Sequence, residues 1–312
     1  MVIDMKAIIA NNLTKIYSND KKAVDDISFT LEQGEVFGFL GPNGAGKTTV
    51  VKLLNGMLSP TEGTCRVLDV DPFTNPTQVH QLSGVVTEHA QMYDNLTGLQ
   101  NLVFYGKIFG MNATDSKNRA QALLERLGLI DAKDQKLNTY STGMRQRLSL
   151  ARAMIHDPKI LFLDEPTFGL DPEGVFSVNH MIKNLAENEG KTIFLCTHQL
   201  RYAQEICNSY GLIDEGVMLA SGNLEELRCM VFSGMTVSIK TDRFPNNIPS
   251  TKTGEKDYEI NVKSEEDIPH IINRIVEENG SVYSVTARRL SLEEIYFALI
   301  EKRAERKESQ ND

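Results

Sequence analysis

Residues 36–58 contain a glycine-rich turn between two apolar segments, and this turn restricts the possible folds more than any other feature of the chain. The segment before it, Val36 to Leu40, is short and apolar and predicts a buried strand. The segment after it, Thr49 to Leu58, predicts a helix. The turn itself, residues 41–48, reads GPNGAGKT and fits G-x-x-x-x-G-K-[ST] in the strand-loop-helix context that this pattern requires. An α/β fold with an anion-binding loop is therefore predicted.

The loop has the composition of a phosphate-binding site. Glycines allow the backbone to wrap around an anion, so that N–H groups and the N-terminus of the next helix point toward it. Lys47 is predicted to contact the β- and γ-phosphates, and the Thr48 hydroxyl to ligate Mg²⁺. The predicted nucleotide-binding residues of this region are Gly41, Pro42, Asn43, Gly44, Ala45, Gly46, Lys47, Thr48 and Thr49.

A second apolar run ends in two carboxylates. Lys159 to Leu163 predicts a buried strand, and Asp164 and Glu165 follow it directly. A carboxylate at a strand end can hold Mg²⁺ through water, and the next one can orient or deprotonate an attacking water. An isolated acidic pair is often only a solvated strand end, but the phosphate loop makes a catalytic pair the better interpretation. Asp164 is thus a candidate metal ligand and Glu165 a candidate catalytic base.

Strands and helices alternate through most of the chain. Thr192 to Cys196 predicts another buried strand just before His198, while Arg119 to Leu127 and Gln146 to Met154 predict helices. This order predicts an α/β fold with a parallel sheet, interrupted by a mostly helical insertion.

Residues 140–147, YSTGMRQR, lie just upstream of the acidic strand. They resemble the signature of the ATP-binding cassette (ABC) family, in the YSGGM-type variant of the usual LSGGQ. Alone, Ser141 could simply be the N-cap of the following helix. The phosphate loop and acidic pair would also fit GTPases and nucleoside kinases, but the chain has no guanine-specifying NKxD. The order and spacing of all three motifs favour the ABC family.

The resemblance covers roughly residues 5–228 and implies a P-loop NTPase fold with a RecA-like α/β core, an antiparallel β subdomain and a helical subdomain at about 89–155. It implies that two ATP molecules with Mg²⁺ are sandwiched in a homodimer or a cassette heterodimer. Ser141 and Gly143 would then contact the γ-phosphate bound to the opposite subunit. The helical subdomain would dock on a separate polytopic membrane permease.

The resemblance assigns further positions one by one. Tyr17 lies where the family has an aromatic residue that stacks on adenine. Asp171, in a segment that follows Glu165 as the family's D-loop does, would couple the two sites across the dimer. His198 matches the switch histidine, which in the family contacts the γ-phosphate and positions water.

One position departs from the family pattern. The glutamine expected in the Q-loop is replaced by Glu88, judged by its flanking residues. A carboxylate can still ligate Mg²⁺, so Glu88 is a candidate catalytic residue and metal ligand. Because it only accepts hydrogen bonds, the usual water contact is in doubt. Gln91 is the nearest alternative for the Q-loop position.

The character of the sequence changes after about residue 228, where apolar runs thin out and loop-forming residues increase. Residues 229–312 are predicted to form a small α+β accessory domain of type ββαβα. The predicted elements are strands at 236–240, 258–263 and 281–288 and helices at 268–275 and 292–300, the last with a Ser291/Glu294 capping box. The charged tail, 301–312, is expected to be frayed or disordered.

The composition of the chain limits the classes of partner and the cellular location that can be expected. The net charge of -9 disfavours nucleic acid. The four cysteines have neither disulfide-framework nor metal-ligand spacing. No apolar run approaches the roughly 20 residues that span a bilayer. A cytoplasmic protein that docks at the inner face of the cell membrane is expected.

The resemblance implies an ATP-hydrolysing subunit of a transporter. In its single cassette and small C-terminal module the chain most resembles bacterial multidrug, antibiotic or antimicrobial-peptide efflux subunits, and this analogy implies export. Two alternatives stay open at this point. One is a non-transport cassette that acts on ribosomes or DNA, and the other is a regulatory cassette that binds ATP but hardly hydrolyses it.

Overall fold

The computed structural model describes residues 6–18, 20–87, 92–232 and 234–311. The chain forms two compact units that divide between Ser221 and Gly222. Within the described ranges, no helix is both long and apolar enough to cross a bilayer.

The first unit contains most of the regular structure. Its strands are β1 (Lys6–Ile16), β2 (Lys22–Glu32), β3 (Val36–Leu40), β4 (Glu62–Val67), β5 (Ser83–Val86), β6 (Ile160–Asp164), β7 (Thr192–Thr197), β8 (Ser209–Asp214) and β9 (Val217–Asn223), the last of which runs across the division. Its helices are α1 (Lys47–Leu54), α2 (Pro76–Leu82), α3 (Gly98–Ile108), α4 (Ala113–Arg126), α5 (Thr142–Ala153), α6 (Pro172–Glu189) and α7 (Leu200–Ile206). Short 3₁₀ turns lie at Ile130–Ala132 and Leu137–Thr139.

A six-stranded sheet in the order β5-β6-β7-β3-β8-β9 forms the centre of this unit. The pairs from β5 through β8 are parallel. Strands β3, β6 and β7 are buried at every residue, which explains their continuous apolar sequences without alternation. Because the carboxyl ends of parallel strands meet at one edge, the phosphate loop, the acidic pair and His198 follow three neighbouring strands there. The strands predicted at 36–40, 159–163 and 192–196 are confirmed.

A three-stranded antiparallel sheet, in the order β2-β1-β4, packs against the central one. Its Phe29 ring lies 5.5 Å from that of Phe37, 5.7 Å from Phe39 and 5.8 Å from Phe194. Contacts between aromatic centroids at these distances stabilise a core beyond the area they bury. The antiparallel β subdomain and the helical insertion, formed by α3, α4 and α5, both agree with the expected fold.

Helix α1 is shorter than predicted, because the expected end at Leu58 is wrong. The helix ends at Leu54, and Gly56 takes a left-handed backbone with φ +69°. The amides of Met57 and Leu58 then donate back to the carbonyl of Lys52 at 2.9 and 3.2 Å, a glycine-based helix termination that a hydrophobic pattern does not reveal.

The second unit has its own small core. Its elements are α8 (Leu224–Val231), β10 (Met235–Thr241), β11 (Thr251–Lys252), β12 (Asp257–Val262), α9 (Asp267–Glu277), β13 (Val282–Arg288) and α10 (Leu292–Asn311). The sheet order is β11-β12-β10-β13, and Ile275 of α9 is buried among residues of β10 and β12.

The second unit differs from the prediction in three respects. The short edge strand β11 was not expected, and α8 groups with this unit although the boundary was placed at 229. The expectation of a frayed tail is wrong, because α10 continues to Asn311. Residues 301–311 are rich in Glu, Lys and Arg, which favour helix even without an apolar face.

Candidate active site

The phosphate loop is pressed closely against neighbouring strands. A Cβ atom at Gly41 would lie 2.1 Å from the carbonyl oxygen of Ile213, and one at Gly46 would lie 2.4 Å from that of Ala23. Gly46 also has φ +108°, a backbone conformation that L side chains rarely adopt. Both glycines are therefore required for the loop to follow its path between β2 and β8.

Lys47 is the buried cation of the loop. Its side chain is 6% exposed, and Nζ donates to the carbonyl oxygens of Gly41 at 2.7 Å and Pro42 at 3.1 Å. Nζ also lies 3.7 Å from Oε1 of Glu165. An ammonium held at the mouth of a glycine-rich loop can attract phosphate oxygens, and its charge is balanced here by a carboxylate.

Thr48 meets the acidic strand end directly. Its hydroxyl donates to Oδ2 of Asp164 at 2.8 Å, which links the first turn of α1 to the end of β6. Two oxygen atoms of this kind, one from a hydroxyl and one from a carboxylate, are ligands that Mg²⁺ accepts. The residues at this position therefore fit the metal that the sequence motif implies.

Glu165 lies just beyond β6 with φ +50°, uncommon for a residue other than glycine. Its amide donates to the carbonyl of Cys196 at 2.9 Å. Its carboxylate accepts from the Thr197 hydroxyl at 2.9 Å and from the His198 amide at 3.1 Å. A strained backbone that the surrounding structure holds in place is a frequent feature of functional sites.

The ring of His198 also contacts Glu165. Its Nδ1 lies 2.8 Å from Oε1 of Glu165, and the ring is about two-fifths exposed, at 39%. Because an ionised carboxylate can only accept, Nδ1 carries the proton in this pair. In the neutral ring Nε2 is then the acceptor, so the hydrogen bond to the carboxylate fixes the tautomer of His198.

Several of these side chains line one cleft of about 440 Å³, here called the phosphate-loop cleft. Tyr17 closes one side of it, with its hydroxyl 3.3 Å from that of Thr49. The lining residues are Tyr17, Lys21, Ala23, Asn43, Gly44, Gly46, Lys47, Thr48, Thr49, Asp164 and Glu165. An aromatic ring beside a phosphate loop offers a stacking surface for a flat base.

Ser141, Gly143 and Asp171 line a different cleft of about 520 Å³, here called the signature cleft. Ser141 is the N-cap of α5 and accepts from the amide of Met144 at 3.3 Å. Asp171 is the N-cap of α6 and accepts from the amide of Gly174 at 2.8 Å. The two clefts share no lining residue. The N-terminus of α5 is exposed in the signature cleft, where an anion could bind.

The structure thus brings Tyr17, Asp164 and Glu165 together with the loop residues Asn43, Gly44, Gly46, Lys47, Thr48 and Thr49, and His198 is hydrogen-bonded to Glu165. Gly41 and Pro42 contact Lys47 through their carbonyl oxygens, whereas Ala45 does not line this cleft. It places Ser141, Gly143 and Asp171 elsewhere on the same unit. Glu88 and the alternative Gln91 lie outside the described residues, so the metal and catalytic roles of Glu88 stay predictions. Thr197 was not predicted from the sequence as a site residue, although its place between the end of a buried strand and His198 was a signal.

Comparisons with known proteins agree with the geometry. A family model described as ABC transporter matches residues 24–168. The daunorubicin/doxorubicin resistance ATP-binding protein DrrA of Streptomyces peucetius is 38% identical over 230 residues, which cover 74% of this chain and 69% of that protein. The bacitracin transport ATP-binding protein BcrA of Bacillus licheniformis is 33% identical over 304 residues, covering 95% and 98% respectively.

Solved structures give the same result. The structure of cbiO1 from Clostridium perfringens, described as part of the ABC transporter complex cbiONQ, superimposes with a TM-score of 0.66 at 26% identity. The match covers 72% of this chain and 91% of that one. The match to BcrA, in contrast, extends over nearly the whole chain, including most of the second unit.

Proposed function

The chain belongs to the ABC transporter family as an ATP-binding, ATP-hydrolysing subunit, and from this premise we propose that it drives export of a drug, antibiotic or antimicrobial peptide through a separate membrane permease. The relatives named for daunorubicin and doxorubicin resistance and for bacitracin transport support this substrate class. The similarity to the bacitracin protein supports it most, because it extends over both units.

One observation carries the hydrolytic part of the proposal. The hydroxyl of Thr48 and the carboxylate of Asp164 meet at 2.8 Å, with Lys47 and Glu165 lining the same cleft. The cation, the oxygen ligands and the base that phosphoryl transfer to water requires are therefore within one cleft.

Each residue has a distinct task in this proposal. Lys47 leaves the carbonyls of the loop to contact the terminal phosphates of ATP. Thr48 and Asp164 would hold Mg²⁺, which when bound supplies charge that neutralises the β- and γ-phosphate oxygens. Glu165 accepts a proton from the attacking water, and His198 helps to position that water.

The signature cleft completes the site in a dimer. Because Ser141, Gly143 and Asp171 line a cleft separate from Lys47 and Glu165, one chain presents two half-sites. We propose that a second cassette, identical or homologous, brings its Ser141 to the γ-phosphate bound at Lys47. ATP then closes the dimer and hydrolysis reopens it, which requires ATP to bind the closed form far more tightly than the open one.

The permease is expected to dock on the helical insertion. A groove of about 600 Å³ lies beside α3 and α5, and its lining includes Tyr105, Ile108, Phe109, Arg152 and His156. Its mainly apolar lining suits a short amphipathic segment of a membrane protein. We propose that the chain works at the cytoplasmic face of the cell membrane, and its net charge of -9 argues against a nucleic-acid partner.

Drug susceptibility of host cells tests the proposal. Cells that lack the chain are complemented with wild type or with Glu165→Gln, and their growth is measured in bacitracin and in daunorubicin. We expect wild type to raise the tolerated concentration of at least one compound and Glu165→Gln to fail despite equal expression. Equal susceptibility of all strains to both compounds, with ATPase activity intact, would overturn the export assignment for these two classes.

A further inference from the structure

We propose that Thr197 is a positioning residue for ATP hydrolysis, because its hydroxyl fixes the orientation of the Glu165 carboxylate. The inference rests on the proposed role of Glu165 as the base. Thr197 is the last residue of β7, is 4% exposed, and donates from Oγ1 to Oε2 of Glu165 at 2.9 Å.

The direction of this hydrogen bond follows from the chemistry of its acceptor, because an ionised carboxylate can only accept. The amide of Gln199 donates to Oγ1 of Thr197 at 3.1 Å. The oxygen of Thr197 accepts in that bond, and its proton is left for the carboxylate, which when ionised has no proton to donate. Thr197 is therefore the donor of this pair and Glu165 the acceptor.

The contact with Thr197 matters because hydrogen bonds to Oε1 alone do not fix the plane of the Glu165 carboxylate. Oε1 accepts from the amide and from Nδ1 of His198, and it also lies 3.7 Å from Nζ of Lys47. A terminal carboxylate rotates in a broad, roughly two-fold torsional well. With Oε1 held by His198 and Oε2 by Thr197, that rotation is arrested. A general base misplaced by a fraction of an ångström loses reach to the proton it abstracts.

The test compares Thr197→Val, which keeps the shape and removes the hydroxyl, with Thr197→Ser, which keeps the hydroxyl. Steady-state ATPase assays on the full chain should show kcat reduced roughly ten- to a hundredfold in Thr197→Val. KM for ATP should stay within about twofold, because no phosphate contact is lost. Thr197→Ser should restore kcat to near the wild-type value. If Thr197→Val does not fold, Thr197→Ala against Thr197→Ser provides the same comparison.

Thr192→Val is the matched control, because Thr192 begins the same strand, is 2% exposed, and accepts a hydrogen bond from the Gly34 amide at 3.0 Å. It lies at the opposite end of β7 from the site, so its loss should lower the melting temperature and leave kcat unchanged. Unchanged kcat in Thr197→Val, or equal losses of kcat in both valine variants, would overturn the inference.

Glu165→Gln separates the proposed role of Thr197 from that of Glu165. If Glu165→Gln abolishes turnover and Thr197→Val does not, the inference about Thr197 fails and the role of Glu165 stands. If Glu165→Gln retains wild-type kcat, the base assignment itself is wrong, and the positioning role of Thr197 falls with it.

Discussion

Several neighbouring groups hold the side chain of Glu165 in one orientation. Its backbone has φ +50°, so the side chain leaves the path of β6, and donors from the neighbouring β7 and the following turn hold its carboxylate. An extended conformation would instead continue the alternation of the strand. The left-handed turn is therefore what directs an acid from the end of a buried strand into the cleft.

Replacing Glu165 by Gln should separate binding from hydrolysis. The amide preserves shape but is a poor proton acceptor, so we expect turnover to fall by at least about a hundredfold while ATP still binds. Size-exclusion chromatography with Mg-ATP should then show a dimer that persists. Glu187→Gln, on the exposed side of α6, serves as a control with unchanged turnover. A variant that stays monomeric at saturating ATP would contradict the sandwich arrangement.

Asp157 offers a prediction of pH-dependent stability. A hydrogen bond from Lys191 at 2.8 Å, followed by the charges of Lys191 and Arg119, lowers the pKa of Asp157 from its ordinary value of 3.8. A lowered pKa means that the folded state favours the ionised form, so the contribution is present above pH about 4 and is lost as pH falls through the folded-state pKa.

Asp157→Asn tests this, because asparagine tolerates the backbone φ of +58° found at this position. The carboxylate is well exposed, so we expect unfolding free energy at pH 7 to fall by only about 0.5 kcal/mol. The difference from wild type should shrink toward zero in denaturant titrations at progressively lower pH below 4. A difference that is independent of pH would show that the charge of Asp157 is not the cause.

The sequence identified those site residues whose roles are encoded in local motifs. Lys47 and Thr48 could be located because they belong to a recognisable glycine-rich loop, and Asp164 because it follows an apolar strand. The position of Thr197 could not be interpreted in the same way, because its hydroxyl matters only through the left-handed turn at Glu165 on a different strand. Such a contact depends on the strand order, which the sequence did not specify.

At the scale of elements, prediction succeeded where one physical signal dominated. The buried strands β3, β6 and β7 are short, continuous apolar runs, and this pattern is typical of strands buried on both faces. It failed at ends set by backbone geometry, as at Gly56, or by side-chain caps. Helix α4 begins at Ala113, upstream of the predicted Arg119, because Asn112 caps it.

The cap of α5 gives a test that separates stability from function. Ser141→Ala removes the acceptor for the Met144 amide and should cost about 1 kcal/mol of stability. It should also reduce hydrolysis more than this stability loss explains, because the hydroxyl is proposed to serve the opposite ATP. Asn112→Ala removes the corresponding cap of α4 and should cost a similar amount of stability without affecting turnover. Equal turnover in both variants would assign Ser141 a structural role alone.

At the scale of the whole molecule, the chain divides into two compact units. Every candidate site residue precedes Ser221, whereas α8 and α10 pack against each other within the second unit. The change in composition suggested a boundary at 229, because α8 is helical and partly apolar like the elements before it. Its partner, α10, lies far downstream in the sequence, so only the fold shows to which unit α8 belongs.

Two truncations test this division. A fragment that ends at Asn223 keeps β9, the edge strand of the central sheet, complete and should bind ATP with the affinity of the full chain.

A fragment that ends at Val231 also keeps α8 but removes α10. It loses the hydrogen bond from Arg228 to the Leu290 carbonyl and the one from Lys302 to the Met230 carbonyl, at 2.8 and 3.1 Å. We expect the longer fragment to melt at the lower temperature and to aggregate more readily, because it carries a helix without its packing partner. Calorimetry and ATP titration of both fragments provide the measurement. A soluble fragment ending at Asn223 that does not bind ATP would show that the second unit is needed to form the site.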